Sequence, residues 1–254
     1  VDRNLYIKTS NICIETNEIA NKDKTFACCL SSTNAYYFDE WENHPNFIFD
    51  MNLMLDCVIE DYIEKGSKLP GLEKAVRFAK EHRSIGLGIL AFCSFLQKKG
   101  IIFGEIASYA VNKRIFSKLR SESDRASIWM AKHFGEPEML KGYGYRNTTR
   151  LAQAPTKSTS YIMGGEILNL SEGVEPHKSN YTSKKLAKIQ SEVKNKELVD
   201  LLETKGKNTK EVWSSILTHN GITSAFSFCA YSLTIFTISS FSASSICSSE
   251  TFAI

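Results

Sequence analysis

Three short segments combine residue types that could carry out chemistry. The first is Ser10–Glu15, with the sequence SNICIE. Side chains alternate between the two faces of an extended chain, so Asn11, Cys13 and Glu15 would project together. An amide can orient a hydroxyl, a carboxylate can accept a proton, and a thiol can carry out redox or radical chemistry. The alternative is a half-buried strand with a chance polar face, because most single cysteines simply pack.

The second segment is Phe26–Asn34, with the sequence FACCLSSTN. Adjacent cysteines such as Cys28 and Cys29 rarely bridge each other, because the resulting ring is strained. Each thiol must therefore pack, react, or pair with a cysteine elsewhere. Two buried thiols that only pack are the simpler interpretation.

The third segment is Ala154–Ser160, with the sequence APTKSTS. Four hydroxyls, the Lys157 ammonium and the fixed backbone of Pro155 suit an oxyanion such as phosphate. A helix that began here would add its free N–H groups and the positive end of its dipole. The segment is not a Walker A loop, since Gly-x-x-x-x-Gly-Lys is absent. A simple polar turn is the alternative.

The elements that must position these segments follow from hydrophobic periodicity. Apolar residues recur at helical spacing from Phe47 to Glu64, and Lys65–Gly66 would end that helix. IGLGIL at 85–90 predicts a strand, and the helix after it would end at Gly100. The remaining expectations are an extended chain at 1–15 and 26–38, turns at 16–25, a long helix or a broken pair at 105–134, strand and loop at 141–165, and helix at 183–218.

Composition places the chain among ordinary globular proteins. It has 254 residues, of which 43% are hydrophobic and 23% are charged. A net charge of +3 is too small to indicate nucleic-acid or membrane binding. Seven cysteines without a signal peptide favour free thiols in a reducing compartment. Because the first residue is Val, we expect an unusual start codon or a piece of a longer chain.

Residues 221–254 differ abruptly from the rest, with Glu250 as their one charge and ten serines. A buried β segment and a membrane span are two interpretations, although ten hydroxyls weaken the second. The third, which we favour, is foreign coding sequence appended where a gene was interrupted.

In their order along the chain, these segments resemble the large, catalytic subunit of class I ribonucleoside-diphosphate reductase, over about residues 1–220. The resembling segments are Ser10–Glu15 for the finger-loop motif Asn-x-Cys-x-Glu, Cys28–Asn34 for Cys-x-Leu-Ser-x-x-Asn, Ser84–Ile89 for a Gly-hydrophobic-Gly stretch, Arg146–Thr149 and Pro155–Ser160 for the diphosphate strand and loop, and Gly173–Pro176 for Gly-Ile-Glu-Pro. The wording APTKSTS is most similar to the tailed-phage versions.

The resemblance implies an α/β fold, namely part of a ten-stranded α/β barrel with a central finger loop. Residues 1–220 would be part of the barrel domain, and residues 221–254 would be a tail unlike the family. The implied reaction converts ribonucleoside diphosphates to 2′-deoxyribonucleoside diphosphates for DNA synthesis by thiyl-radical chemistry.

The resemblance also implies a role for each matching residue. Cys13 would carry the thiyl radical that removes hydrogen from the 3′ carbon, Glu15 would accept the 3′-hydroxyl proton, and Asn11 would hydrogen-bond the ribose. Cys28, rather than Cys29, would be one of the two thiols that reduce the 2′ carbon and end as a disulfide. The diphosphate would be bound by Thr156, Lys157, Ser158 and Thr159.

Partners follow from the same resemblance. We expect no metal or cofactor on this chain, with the radical supplied by a small subunit that holds a di-iron or dimanganese site. ATP and dNTP effectors would bind regions absent here, and thioredoxin or glutaredoxin would restore the thiols. No membrane or direct nucleic-acid partner is expected, and the location would be cytoplasmic, in the host if the gene belongs to a phage.

Several family features are missing from the sequence: the second reducing cysteine, the ATP cone and effector loops, the radical-relay tyrosines and the cysteine pair of the tail. Residues 166–170 are extra. The expectation is therefore an internal or split piece that needs another chain for activity. The alternative is an inactive remnant of an interrupted gene that at most binds partner subunits. A class II enzyme is disfavoured, because no cobalamin-binding signature is visible.

Overall fold

The computed structural model describes residues 7, 9–11, 15–163, 173, 179–186 and 189–218. Cys13, residues 174–176 of the Gly-Val-Glu-Pro motif and the segment 221–254 lie outside the described residues. The helices are α1 (Phe38–Trp41), α2 (Phe47–Gly66), α3 (Glu73–His82), α4 (Phe92–Lys98), α5 (Ile106–Phe134), α6 (Lys157–Met163), α7 (Lys196–Thr204) and α8 (Lys210–Thr218). The strands are β1 (Thr9–Ser10), β2 (Asn17–Glu18), β3 (Cys29–Asn34), β4 (Ile85–Leu90), β5 (Tyr181–Leu186) and β6 (Ile189–Lys194).

A parallel pair of strands, β3 and β4, forms the centre of the described chain. Their register runs from Cys29 opposite Ile85 to Asn34 opposite Leu90. Parallel strands need a long crossover, and here α2 and α3 provide it. Leu151 extends the parallel arrangement by bridging to Leu87 on β4. All six residues of β4 are buried, as expected for a parallel strand covered on both faces.

The main hydrophobic core lies between this sheet and the helices α2 and α5. The apolar positions of α2 recur every three to four residues, so one face of that helix is buried. The largest fully buried side chains are Phe38, Phe78, Phe95, Ile48, Ile85, Leu87, Leu90, Leu96, Ile115, Leu119, Met130 and Leu202. A smaller cluster of Leu198, Leu202, Trp213 and Ile216 joins α7 and α8 beside the antiparallel hairpin β5–β6.

Two glycines of β4 allow the chain at 152–153 to approach the strand closely. A Cβ atom added to Gly86 would lie 2.5 Å from the Ala152 side chain, and one added to Gly88 would lie 2.4 Å from the Ala152 carbonyl oxygen. Real Cβ atoms do not approach backbone oxygens this closely. The alternation of glycine with large apolar residues in IGLGIL therefore reflects packing between neighbouring segments.

The predicted elements with strong periodicity are confirmed. The helix predicted at 47–64 is α2, which ends at Gly66, and the strand predicted at 85–90 is β4. The helix after β4 ends before Gly100, whose φ of 66° suits glycine. The segment 105–134 forms one continuous helix, α5, rather than a broken pair.

Four predictions need correction. The prediction of an extended chain over 1–15 does not hold after Ser10. The Asn11 N–H donates to the Thr16 carbonyl, so the chain reverses between these two residues. Within 26–38 the strand stops at Asn34, whose side chain caps a 3-10 turn at Ala35–Tyr37. Residues 157–163, predicted as strand and loop, form α6.

The fourth correction concerns 183–218, where the helical prediction is wrong for the first part. Residues up to 194 belong to the hairpin β5–β6, and helix begins at Lys196 after an Asn195 cap. Two residues join the paired strands, which is the favoured length for a hairpin connection. The β-branched residues of these strands support that choice over the charge pattern.

A buried ion cluster centred on Asp56 fastens the helices to the start of β4. Asp56 lies on α2 and is 4% exposed. Both of its carboxylate oxygens accept hydrogen bonds from Arg83 at 2.9 Å, and Arg146 Nε donates to Oδ2 at 2.9 Å. Burial by itself would raise the pKa of Asp56, but the hydrogen bonds and charges of the two arginines outweigh it and lower that pKa.

Further hydrogen bonds complete this cluster. Asn147 Nδ2 donates to Asp56 Oδ1 at 2.9 Å and to the Arg83 carbonyl at 3.0 Å. Arg146 Nη1 donates to the carbonyls of Phe134 and Gly135, so it caps the end of α5. The cluster therefore joins α2, α3 and α5 to the two segments that lead into the sheet.

Asp56→Ala should destabilise the chain strongly, because two buried arginines would lose their shared carboxylate. We expect a loss of about 3–5 kcal/mol in the free energy of unfolding, measured by chemical denaturation. Asp61→Ala is the matched control on the same helix, since Asp61 pairs with Lys65 in solvent and should matter by no more than about 0.5 kcal/mol. Equal losses in the two variants would contradict the assignment.

The same cluster predicts a pH dependence. The pKa of Asp56 is lowered on folding, so its contribution is fully present above the ordinary value of about 3.9 and is lost as the pH falls through the folded-state pKa. The difference in unfolding free energy between the wild type and Asp56→Asn should stay level near neutral pH. It should shrink below about pH 4. A difference that is unchanged in acid would refute this account.

Candidate active site

A short hairpin holds the first predicted segment. β1 pairs with β2 in antiparallel register, with Ser10 opposite Asn17. In the connecting loop the Asn11 N–H donates to the Thr16 carbonyl at 3.2 Å, and the Thr16 N–H donates to Asn11 Oδ1 at 3.1 Å. Asn11 and Glu15 are therefore brought near each other by a chain reversal, not by strand alternation. Cys13 falls between them in sequence, among residues that are not described.

The hairpin lies close to Cys28, just before β3, because Glu18 of β2 accepts a hydrogen bond from Ser84 Oγ and the Ser84 carbonyl accepts one from the Cys29 N–H at 3.4 Å. Burial raises the pKa of the Cys28 thiol, and the carboxylates of Glu15 and Glu18 raise it further. The Thr16 hydroxyl offsets part of this rise, although it falls short of ordinary hydrogen-bond geometry. Burial also raises the pKa of Cys29. The half-buried thiol of Cys28 thus faces the loop that contains Glu15, and it stays protonated at neutral pH.

The third predicted segment leaves the sheet beside the other end of β4. The Gln153 side chain pairs with Ile89 as a strand would, accepting from its N–H at 3.1 Å and donating to its carbonyl at 2.6 Å. The chain then reaches Thr156, which has a φ of 53°, and α6 begins at Lys157. Thr156 is buried.

Gly173 packs against this segment and is hydrogen-bonded to Ala91, the residue that follows β4. A Cβ atom on Gly173 would lie 2.8 Å from the Pro155 carbonyl oxygen and 3.2 Å from Thr156 Oγ1. The Gly173 carbonyl accepts a hydrogen bond from the Ala91 N–H at 3.4 Å. The structure therefore brings three of the predicted motifs together, namely the glycine strand, the hydroxyl-rich segment and the first residue of Gly-Val-Glu-Pro.

The thiol and the hydroxyl-rich segment lie at opposite ends of the same strand. Cys29 pairs with Ile85, whereas Gln153 pairs with Ile89, four residues along β4. At about 3.3 Å per residue the two ends are roughly 13 Å apart along the strand. A ligand that touched both would have to be elongated, with one chemistry at each end.

Several buried oxygens around these segments lack a hydrogen-bond partner among the described residues. They are Glu15 Oε2, Thr16 Oγ1 and Thr156 Oγ1. Buried polar atoms are nearly always paired, so each of these atoms has room for a partner beyond the described residues. Two of the three belong to residues that the sequence already indicated, Glu15 and Thr156.

The remaining predicted residues are less enclosed. Lys157, Ser158 and Thr159 are exposed on the first turn of α6. Ser160 is buried and its hydroxyl donates to the Lys157 carbonyl at 2.7 Å, so that hydroxyl is used locally. The predicted phosphate segment thus has one buried hydroxyl and an exposed ammonium at the start of a helix.

Sequence reasoning missed Thr16, Glu18 and Gln153. Thr16 bonds to the nearby Asn11, whereas Glu18 bonds to Ser84 and Gln153 bonds to Ile89. These last two pairs are separated by as many as 66 residues, and no local pattern encodes such contacts. The one available signal was the polar run after Glu15, which was interpreted only as turn.

The described part of the chain has neither a cluster of metal-ligating side chains nor a membrane-spanning helix. No three His, Cys, Asp or Glu side chains there are grouped as a metal site would require. None of the described helices is long and apolar enough to cross a membrane.

Comparison with known proteins gives the family of the chain. The model of the ribonucleotide reductase barrel domain matches residues 2–138 and 136–240. The large subunit of ribonucleoside-diphosphate reductase from Invertebrate iridescent virus 6 is 38% identical over 211 residues, covering 82% of this chain and 21% of that protein. The same subunit from Invertebrate iridescent virus 3 is 34% identical over 220 residues, covering 85% and 34%.

A solved structure gives the same result. The class Id ribonucleotide reductase alpha subunit of Actinobacillus ureae matches with a TM-score of 0.79 and 42% identity, covering 87% of this chain and 40% of that chain. The chain therefore belongs to the ribonucleotide reductase barrel domain family. It spans about one fifth to two fifths of the length of these relatives.

The expected fold class, part of the reductase α/β barrel, is confirmed by these matches. The family match runs to residue 240, beyond residue 220, where the sequence suggested a boundary. That boundary stays a prediction.

Cys28 should be a slow nucleophile at neutral pH, because burial and two nearby carboxylates disfavour its thiolate. The rate of its alkylation by iodoacetamide should reach half of its maximum above about pH 8.5, the value for a free cysteine. Tandem mass spectrometry can separate Cys28 from Cys29, and the exposed Cys57 reports reagent access. A midpoint at or below pH 8.5 would show that the thiol is not shielded.

Proposed function

We propose that this chain is part of the catalytic subunit of a ribonucleoside-diphosphate reductase, and that it converts ribonucleoside diphosphates to 2′-deoxyribonucleoside diphosphates together with other chain segments. One observation carries the proposal beyond the family match. The hairpin with Asn11 and Glu15 is tied through Glu18 and Ser84 to the cysteine pair at one end of β4, and the Thr156 segment lies at the other end. A sugar at the thiol end and a diphosphate at the hydroxyl end would fit this division.

The sugar end would use the hairpin residues. In this proposal Cys13, as a thiyl radical, takes the hydrogen atom from the 3′ carbon and later returns it. Glu15 accepts the 3′-hydroxyl proton, and its buried Oε2, which has no hydrogen-bond partner among the described residues, supports that role. Asn11 hydrogen-bonds the ribose, which also requires that its amide be held in place, and the bond from the Thr16 N–H does so.

Cys28 would supply reducing equivalents. Replacing the 2′-hydroxyl by hydrogen takes two electrons and two protons, and it releases water. Two protonated thiols provide both and become a disulfide, the second thiol coming from a segment outside this chain. The raised pKa of Cys28 supports this role, because it keeps the hydrogen on sulfur until it is needed.

The phosphate end would use the start of α6. Lys157 would contribute a positive charge, and Thr156, Ser158 and Thr159 would donate hydroxyl hydrogen bonds. The buried Thr156 Oγ1 lacks a partner among the described residues, which supports a ligand there.

Partners are part of the same proposal. The remaining large-subunit segments would complete the barrel, a small subunit with a di-iron or dimanganese site would generate the radical, and thioredoxin or glutaredoxin would reduce the disulfide. A cytoplasmic location would keep the thiols reduced, in keeping with the free Cys28, Cys29, Cys57 and Cys93.

The test is deoxynucleotide formation by the chain co-expressed with the missing large-subunit segments and the small subunit. Cys13→Ser should abolish turnover, because an alcohol O–H bond is much stronger than a thiol S–H bond and a serine cannot pass the radical. Substrate binding, measured separately by equilibrium dialysis, should persist. Cys57→Ser is the matched control, since Cys57 is exposed on α2 and should leave turnover unchanged.

Substantial turnover by Cys13→Ser would reject the motif assignment. If every reconstituted combination with the unchanged chain lacks turnover, the chain is an inactive remnant of an interrupted gene instead.

A further inference from the structure

Glu18, at the end of β2, has a buried carboxylate that reaches into the centre of the fold. Its side chain is almost fully buried. Oε1 accepts a hydrogen bond from Ser84 Oγ at 2.7 Å and a longer one from Thr148 Oγ1 at 3.3 Å. Ser84 immediately precedes β4, and Thr148 lies where the neighbouring segment starts toward Leu151. One carboxylate therefore joins the hairpin to both segments.

His82 lies next to the second oxygen of this carboxylate. Its Nδ1 lies 3.5 Å from Glu18 Oε2, and its ring stacks on Phe78 with centroids 4.1 Å apart. Neither ring nitrogen has a hydrogen-bond partner among the described residues, although the residue is 1% exposed. The His82 carbonyl accepts from the Thr148 N–H at 3.1 Å. Glu18 thus sits in a polar pocket built from α3 and the 148–149 segment.

The hairpin needs such an anchor because its own pairing is minimal. β1 and β2 have two residues each, and isolated two-stranded hairpins are marginal in water even when longer. The loop residues Asn11, Glu15 and Thr16 can therefore hold their place beside Cys28 only if something outside the hairpin fixes it.

We propose that Glu18 is a positioning residue of the candidate site, which fixes the β1–β2 hairpin and thereby sets Asn11, Glu15 and Thr16 against Cys28. The catalytic consequence rests on the proposed function, whereas the anchoring concerns this chain alone. Glu18 itself acts through Ser84 and Thr148 and needs no contact with a ligand.

The test compares Glu18→Ala with Glu18→Gln in the full chain, without substrate or partner. Loss of hydrogen bonds to a charged group should speed hydrogen exchange of the Thr16 amide about tenfold to a hundredfold in Glu18→Ala. Glu18→Gln keeps an oxygen that can accept from Ser84, so its exchange should stay within about threefold of the wild type. Amides of α2, such as that of Ile59, should be unaffected in both variants.

A second measurement separates positioning from general stability. When the hairpin leaves Cys28, the thiol loses its cover and its two carboxylate neighbours, so its alkylation at pH 8 should become several-fold faster in Glu18→Ala. Alkylation of the exposed Cys57 should not change. Glu81→Ala is the matched control, because Glu81 pairs with Lys24 and ties the chain beyond the hairpin to α3.

The proposal is overturned if Thr16 exchange is unchanged in Glu18→Ala, if Glu18→Gln does not restore it, or if Glu81→Ala has the same effect. If Glu18→Ala does not fold, Ser84→Ala removes the shorter of the two hydrogen bonds to Glu18, together with the contact between Ser84 Oγ and Thr149 Oγ1. Unchanged Thr16 exchange in that variant would also reject the anchor. Because no readout uses reductase turnover, failure of the proposed function would leave these results standing.

Discussion

The carboxylate of Asp56 is the interaction on which the described fold depends most. Its two oxygens are shared by Arg83, which leads into β4, and by Arg146, which leads into the segment beside β4. Ion pairs withdrawn from water gain little unless every remaining donor is also satisfied. Here the helix-end carbonyls of Phe134 and Gly135 accept the hydrogen bonds of Arg146 Nη1. The cluster therefore specifies which chain segments lie side by side.

The site follows from that arrangement through backbone contact. With the starts of β4 and of the 148–151 segment fixed together, the two run in parallel, and Gly88 leaves room for the Ala152 carbonyl. Gln153 then continues the pairing with its side chain, so the backbone is free to turn away toward Thr156. The position of the hydroxyl-rich segment thus follows from the segment that runs beside β4 and turns away after Gln153. The position of the thiol at the far end follows from β3, which pairs with β4.

The sequence predicted those parts of the fold in which local pattern and tertiary packing agree. The apolar face of α2 and the fully buried β4 were evident from spacing alone. The hairpin β5–β6 was not, because its charged residues follow a helical pattern and only pairing across a two-residue connection makes strands the better choice. For the site, motif order predicts Asn11, Glu15, Cys28 and Thr156, and their roles stay a prediction. It could not identify Glu18, whose hydrogen-bonding partner Ser84 lies 66 residues away.

The buried polar groups of this chain separate into two kinds, and the distinction bears on function. Asp56 and Asn147 use their polar side-chain atoms within the chain, as structural groups do. Glu15 and Thr156 keep an oxygen without a partner among the described residues. An open polar atom is not sufficient evidence alone, since Asn52 Oδ1 and both ring nitrogens of His82 also lack a hydrogen-bond partner within the described part of the chain. What distinguishes Glu15 and Thr156 is that each lies beside another reactive or anion-binding group, a thiol in one case and an ammonium at a helix start in the other. The open polar atoms of Glu15 and Thr156 therefore support the proposed ligand site, because they coincide with chemistry at both ends of one strand.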